Sequence, residues 1–101
     1  MKVETITEGG VDYEVRTGAY GSRSWYVNGQ RHRLDGPAIE WADGTRSWWV
    51  NGQLHRLDGP AVEWASGGRQ WWVNGQRVDC QSDDDPAFKR AVLKYLQEQT
   101  R

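Results

Sequence analysis

The sequence predicts a mainly β fold, an antiparallel meander of β-hairpin repeats with one C-terminal α-helix capping the array. Three observations predict it. The chain repeats itself at a spacing of 23 residues. Each copy holds two short aromatic, Val-rich runs separated by turn dipeptides. A stripe of apolar residues at helical spacing follows the last copy.

The first stretch, "MKVETITEGGVDYEVRT", reads as two strands around Glu8-Gly9-Gly10, a hairpin cap over residues 1–20. The repeats follow, over 21–43 and 44–66, with a half copy over 67–80, all within a single domain spanning 1–101. Trp25 maps onto Trp48 and Trp71, and Tyr26 onto Trp49 and Trp72. Val-Asn-Gly-Gln recurs at 27–30, 50–53 and 73–76. "HRLDGPA" recurs at 32–38 and 55–61, and the third copy departs with Val78-Asp79-Cys80-Gln81.

"RSWYV" and "RSWWV" have strand composition. Each is followed by Asn-Gly, whose residues tolerate the positive φ of a tight turn. "PAIEW" and "PAVEW" supply the second strand, with Pro at its first residue, where no ladder donor is needed. Period-2 alternation splits each strand into two faces. We expect Trp25 with Val27, Trp48 with Val50, Trp71 with Val73, Ile39 with Trp41 and Val62 with Trp64 on the buried face. The other face is expected to carry Tyr26, Trp49 and Trp72 beside Ala38, Glu40, Ala61 and Glu63.

The final element is expected over 84–99. Asp85 is placed to N-cap it and Pro86 to open it, while Asp83 and Asp84 sit where the helix dipole favours negative charge. Phe88, Ala91, Val92, Tyr95 and Leu96 share one stripe, which is expected to cover the last hairpin.

Seven Trp in 101 residues supply much of the core of a chain poor in Leu and Ile. Each contributes as much as about 4–6 kcal/mol when fully buried. The net charge of −1 argues against a duplex nucleic-acid binder or a polybasic membrane module. A lone Cys80 excludes a disulfide framework, and no apolar run reaches the length of a membrane span. With no signal peptide read at its start, the chain is expected to be cytoplasmic.

Several side chains carry chemistry, and each recurs. His32 and His55 could ligate a metal, with Asp35 and Asp58 completing the set, or act as general bases. They could equally bind backbone groups where the hairpins cross. Arg33 and Arg56 could hold phosphate or carboxylate, or pair with Asp35 and Asp58. Glu40 and Glu63 could form a hydrolase pair or bridge to Arg46 and Arg69. Cys80, in the column of Leu34 and Leu57, reads as a small apolar side chain. Catalysis needs a residue once, whereas architecture needs it in every copy, so no catalytic residue and no cofactor are expected. The column Tyr26, Trp49, Trp72 is the exception, because stacked aromatics beside Arg can hold flat ligands. The competing reading is a cross-strand packing ladder beneath the helix.

The aromatic-x-x-Gly-x-x-His pattern with a later Asp-Gly resembles the MORN repeat. The matching residues are Tyr26, Gly29, His32, Asp43 and Gly44, then Trp49, Gly52, His55 and Gly67, then Trp72 and Gly75. After His the sequence continues Arg-Leu-Asp-Gly-Pro-Ala where MORN repeats have Gly-x-Gly, a variant similar to the small "HRxDGPA" repeat proteins of bacteria and their phages. The resemblance implies a scaffold or binding surface for proteins and phospholipid, and no catalysis. The expected function is therefore a non-enzymatic binding module. Its expected partner is a protein docked around Tyr26, Trp49 and Trp72 with Arg33, Arg56, Glu40 and Glu63. By analogy it is a phage protein blocking a host defence component. The alternative is sequestration of a small nucleotide by Trp stacking and Arg33 or Arg56.

Overall fold

The structure, a computed structural model, describes residues 1–100. β1 (Lys2–Glu8) and β2 (Val11–Thr17) form an N-terminal hairpin, in register from Lys2↔Thr17 to Glu8↔Val11. β3 (Arg23–Val27) pairs with β2 along one edge. Its other edge is shared between two partners. Arg23 and Ser24 pair with β5 (Ile39–Glu40), and Tyr26 and Val27 pair with β4 (Gln30–Arg31).

The second copy divides in the same place. Its first strand breaks at Trp48 into β6 (Arg46–Ser47) and β7 (Trp49–Val50). β6 lies between β5 and β9 (Val62–Glu63), while β7 pairs with β8 (Gln53–Leu54). In the third copy β10 (Arg69–Val73) gives its first half to β9 and its second half to β11 (Gln76–Val78). The result is an open antiparallel sheet of repeated units that forks into two branches. One runs β3-β5-β6-β9-β10 by ladder pairing. The other is stitched by single backbone bonds. Arg33 N–H donates to Trp49 O (3.0 Å) and Gly52 N–H to Arg31 O (2.9 Å). Arg56 N–H then donates to Trp72 O (3.1 Å) and Gly75 N–H to Leu54 O (2.9 Å).

The Asn-Gly turns are of the mirror-image type, with Asn28 at φ 51° and Gly29 at 80° and the same values within two degrees in the later copies. "PAIEW" is shorter as a strand than expected. Residues 32–38 leave one branch, cross the sheet and rejoin the other, so only Ile39 and Glu40 pair.

The cross-strand register corrects the expected faces. Glu40 is opposite Arg23 and Ile39 opposite Ser24, and directly opposed residues share a face. Ile39 and Trp41 therefore lie with Tyr26, not with Trp25, and Ala38 and Glu40 lie with Trp25. The second copy repeats the inversion, with Val62 opposite Ser47 and Glu63 opposite Arg46. Trp41 and Trp64, expected in the core, are 43% and 41% exposed, whereas Ala38 and Ala61, expected on the open face, are fully buried. A one-residue change of register exchanges every side chain between faces.

The covered face holds the two largest groups of buried side chains, while Ile39 and Val62 are buried on the other face. Tyr13, Val15, Trp25 and Ala38 form the first, with Ile6, Val11, Val27 and Trp49 against them. Trp71, Val73 and Phe88 form the second, with Leu57, Val78, Cys80, Ala91, Val92 and Tyr95. The crossing segments cover this face over Trp25 and Trp48. Over Trp71 the cover is α1 (Pro86–Gln99), N-capped by Asp85, whose carboxylate accepts from Ala87 N–H. Asp83 turns back to accept from Trp71 Nε1 at 2.8 Å. Of the expected stripe, Leu96 points to solvent. The helix lies opposite the Tyr26, Trp49, Trp72 column, so that column is not a ladder beneath it.

Candidate functional site

On the covered face the repeated polar residues are joined to one another. The Arg33 guanidinium lies 3.6 Å above the Trp25 ring and that of Arg56 lies 3.8 Å above Trp48. Each donates from Nη1 to a carbonyl of its own crossing segment, Pro37 at 3.2 Å and Pro60 at 3.0 Å. Gly36 and Gly59 press on the opposite side, where a Cβ would stand 3.1 and 2.9 Å from the guanidinium carbon. Arg-x-x-Gly-Pro thus builds a clamp of Trp, Arg and backbone.

The remaining nitrogens meet carboxylates. Arg33 forks onto Glu8 through Nε (3.0 Å) and Nη2 (2.9 Å), which holds the Glu8 carboxyl below its usual range. Arg56 has no such neighbour and donates from Nε to Asp58 (2.9 Å) and from Nη1 to Glu63 (3.4 Å). Arg23, Glu40, Arg46, Glu63 and Arg69 alternate in charge across five neighbouring strands, a favourable cross-strand pattern. Within it Arg46 reaches Glu63 at 2.9 Å.

The histidines join neighbouring copies. His32 Nδ1 accepts from Asn51 N–H (2.9 Å) and His55 Nδ1 from Asn74 N–H (2.8 Å). An accepting Nδ1 places the proton of a neutral ring on Nε2. His55 packs on Tyr95 at 4.6 Å, and burial pushes its pKa down. Among the described residues no group of three or more His, Cys, Asp and Glu side chains is arranged to hold a metal ion. A hollow of about 750 Å³ opens between the crossing segments, lined by Trp48, His55, Arg56, Leu57 and Tyr95 among others.

The uncovered face is different in kind. Its fork branch carries Tyr26, Trp49 and Trp72, each alternating with a residue of the return strand, Arg31, Leu54 and Arg77. Trp49 Nε1 donates to Ser47 Oγ (2.8 Å) and Trp72 Nε1 to Gln70 Oε1 (3.2 Å). Tyr26 bonds Ser24, which with Arg31 and Arg16 nearby lowers its phenol pKa. Arg16 lies 4.2 Å over the Tyr26 ring and Arg31 5.1 Å over Trp49. The other branch carries Trp41 and Trp64. Between the branches runs an open trough of about 370 Å³, lined by Trp41, Asp43, Trp49, Trp64, Leu54 and Val62 with Thr45 and Ser47 beneath.

The structure therefore separates what the sequence grouped. Tyr26, Trp49 and Trp72 share the uncovered face, whereas Arg33, Arg56, Glu40 and Glu63 lie on the other, where Arg33 and Arg56 together line the hollow and the Glu40 side chain is 41% exposed. Trp41 and Trp64 join the aromatic face unannounced. The signal for them was the alternation Ile39-Glu40-Trp41, legible only with the register that matches it to β3.

No protein-family model, curated protein or solved structure matches this chain. No helix among the described residues is long and apolar enough to cross a membrane.

Proposed function

We propose that the protein is a non-enzymatic binding module that receives a protein partner on its uncovered aromatic face. The observation that carries the reading is the trough lined by Trp41, Trp49 and Trp64, with Asp43, Leu54 and Val62, on the side away from the helix. Aromatic side chains with an apolar body and a polar edge are the residues that anchor protein interfaces. The carboxylates and guanidiniums of the opposite face are engaged with one another, which supports an architectural role for them. In this reading the hairpin unit is a variant of the MORN-like repeat, and the biological role is to block a component of a host cell.

Affinity capture with the intact protein and with the double variant Trp41→Ala/Trp64→Ala tests it. Both indoles are over two-fifths exposed, so the variant keeps its fold. Specific capture by the parent and its loss by a variant of unchanged circular dichroism is the expected result. Equal capture by both proteins overturns the assignment to this face. A small nucleotide is the second reading, favoured by Arg31 over Trp49. Fluorescence quenching by a nucleotide panel that disappears in Arg31→Ala checks it.

A further inference from the structure

We propose that the hollow between the crossing segments binds a small monocarboxylate with an apolar body, its carboxylate gripped by the open edge of Arg56. The site lies on the face opposite the aromatic trough. It goes beyond the reading of that trough and does not depend on it.

The molecule carries its own example of the grip. A guanidinium can fork a carboxylate with two parallel N–H groups. In the first copy the Nε–Nη2 edge of Arg33 is filled in this way by Glu8, at 3.0 and 2.9 Å. Elsewhere the two arginines are alike. Each lies on its Trp ring and donates from Nη1 to a Pro carbonyl. Each has a sheet carboxylate near Nη1, Glu40 at 3.6 Å and Glu63 at 3.4 Å. Glu8 belongs to the N-terminal hairpin, which occurs once. The same edge of Arg56 therefore lacks its carboxylate. Nε falls to Asp58 at 2.9 Å, and Nη2 has no hydrogen-bond partner among the described residues.

Asp58 is a weak stand-in. Its side chain is 86% exposed, and an ion pair held so far into solvent contributes little. Its counterpart Asp35 shows the arrangement when a better carboxylate is present. With Glu8 on the fork, Asp35 lies against Gly9 and forms no ion pair among the described residues. A ligand carboxylate would displace Asp58 in the same way. Asp35 and Asp58 both line the hollow, and they select the charge of the ligand. Arg33 holds Glu8 with Asp35 and Glu40 nearby, so such a setting accommodates one more monoanion. A phosphate dianion meets more of that repulsion.

The walls select the body. The N-terminal hairpin covers the first crossing, with Tyr13 Oη accepting from Leu34 N–H at 3.1 Å. Beside the second, about 750 Å³ stays open, walled by Trp48, Val50, Leu57 and Tyr95. A concave, mainly apolar space with a few polar groups to fix orientation suits a small organic ligand. His55 adds a donor. Its Nδ1 is taken by Asn74 N–H, which leaves the Nε2–H of the neutral ring for a ligand.

The test uses the full chain and 4-phenylbutyrate, followed by calorimetry and by the side-chain Nε–H resonances of Arg and Trp. Saturable binding at one site is expected, with the Arg56 and Trp48 signals moving and those of Trp41 and Trp64 still. Arg56 itself clamps Trp48, so its competitor is varied instead. Asp58→Asn should tighten binding at least about threefold, with melting temperature retained because the side chain is exposed. The neutral amide of the same acid should bind at least about tenfold more weakly for want of charge. Acetate should do the same for want of an apolar body. Absence of saturation overturns the proposal, as does equal binding of the amide, which makes the hollow a general apolar site. Tighter binding of phenyl phosphate overturns it by assigning the edge to phosphate esters. Unchanged or weakened affinity in Asp58→Asn overturns the role of the Arg56 edge. The double variant Trp41→Ala/Trp64→Ala leaves the hollow untouched, so its effect on protein capture and the outcome here are read separately.

Discussion

At the scale of single residues, the repeated motif is explained by what each side chain does for its neighbours. His is needed at each junction between hairpins, since its Nδ1 accepts from the turn of the next copy. The third copy has no following turn, and Val78 stands there. Protonation would place an N–H against the Asn N–H and lose the bond. Burial lowers the His55 pKa in the fold, so the unfolded chain binds more protons as pH falls through about 6.5. The contribution is complete above that value and declines below it. We expect melting temperature to fall between pH 7 and pH 5, and to fall less in His55→Gln. Equal slopes would refute this. The carboxyls held below their usual range, Glu8, Asp43 and Asp85, lose their contributions only at more acid pH. Gly59 is needed for space. Its φ lies outside the left-handed region, yet a Cβ would stand 2.9 Å from the Arg56 guanidinium carbon, which Trp48 backs at the ring. Gly59→Ala should cost about 1–3 kcal/mol in denaturant unfolding, and an unchanged midpoint would show that the clamp gives way freely.

At the scale of elements, α1 does for the last hairpin what the crossing segments do for the first two. Arg33 covers Trp25 and Arg56 covers Trp48, while Phe88 joins Trp71 and Val73. The helix start is held by Asp85, which accepts from both Ala87 and Gln81 N–H. Asp85→Ala should cost about 1 kcal/mol, read as a lowered denaturant midpoint, and no change would mean that Pro86 and Asp83 suffice. These local devices were legible in the sequence because each is written within a few residues: Asn-Gly for the turn, Asp-Pro for the helix start. The pairing of faces was not. Alternation shows that Ile39 and Trp41 go together and that Trp25 and Val27 go together, but not whether the two sets meet. The crossing segment decides that. It folds over the Trp25 side, so the residue beside it must be as small as Ala38, and Trp41 is turned to the other face. The fork at Trp48 was equally hidden, because a pattern of alternation does not reveal that a strand changes partners midway.

At the scale of the whole molecule, the protein is a slab of 41 × 36 × 18 Å in which each copy touches mainly the next. Such an array should tolerate loss of a unit in register. Deleting residues 44–66 joins Asp43 to Gly67 and preserves every class of junction. Glu40 would face Arg69 in place of Arg46. His32 would meet Asn74, and Arg33 N–H would meet Trp72 O, as His55 and Arg56 do now. Leu34, 59% exposed at present, would take the place of Leu57 against Phe88. The shortened protein should fold with a lower melting temperature and keep its helix by circular dichroism. Deleting 44–67 instead shifts the register by one residue and sends Trp71 to the wrong face, so it should yield no cooperative unfolding transition. If both deletions unfold alike, the copies are not interchangeable units, and the stability of the fold resides in contacts particular to each hairpin. If only the in-register deletion folds, the 23-residue period is a structural unit, and the aromatic row is shortened by one step with its ends intact.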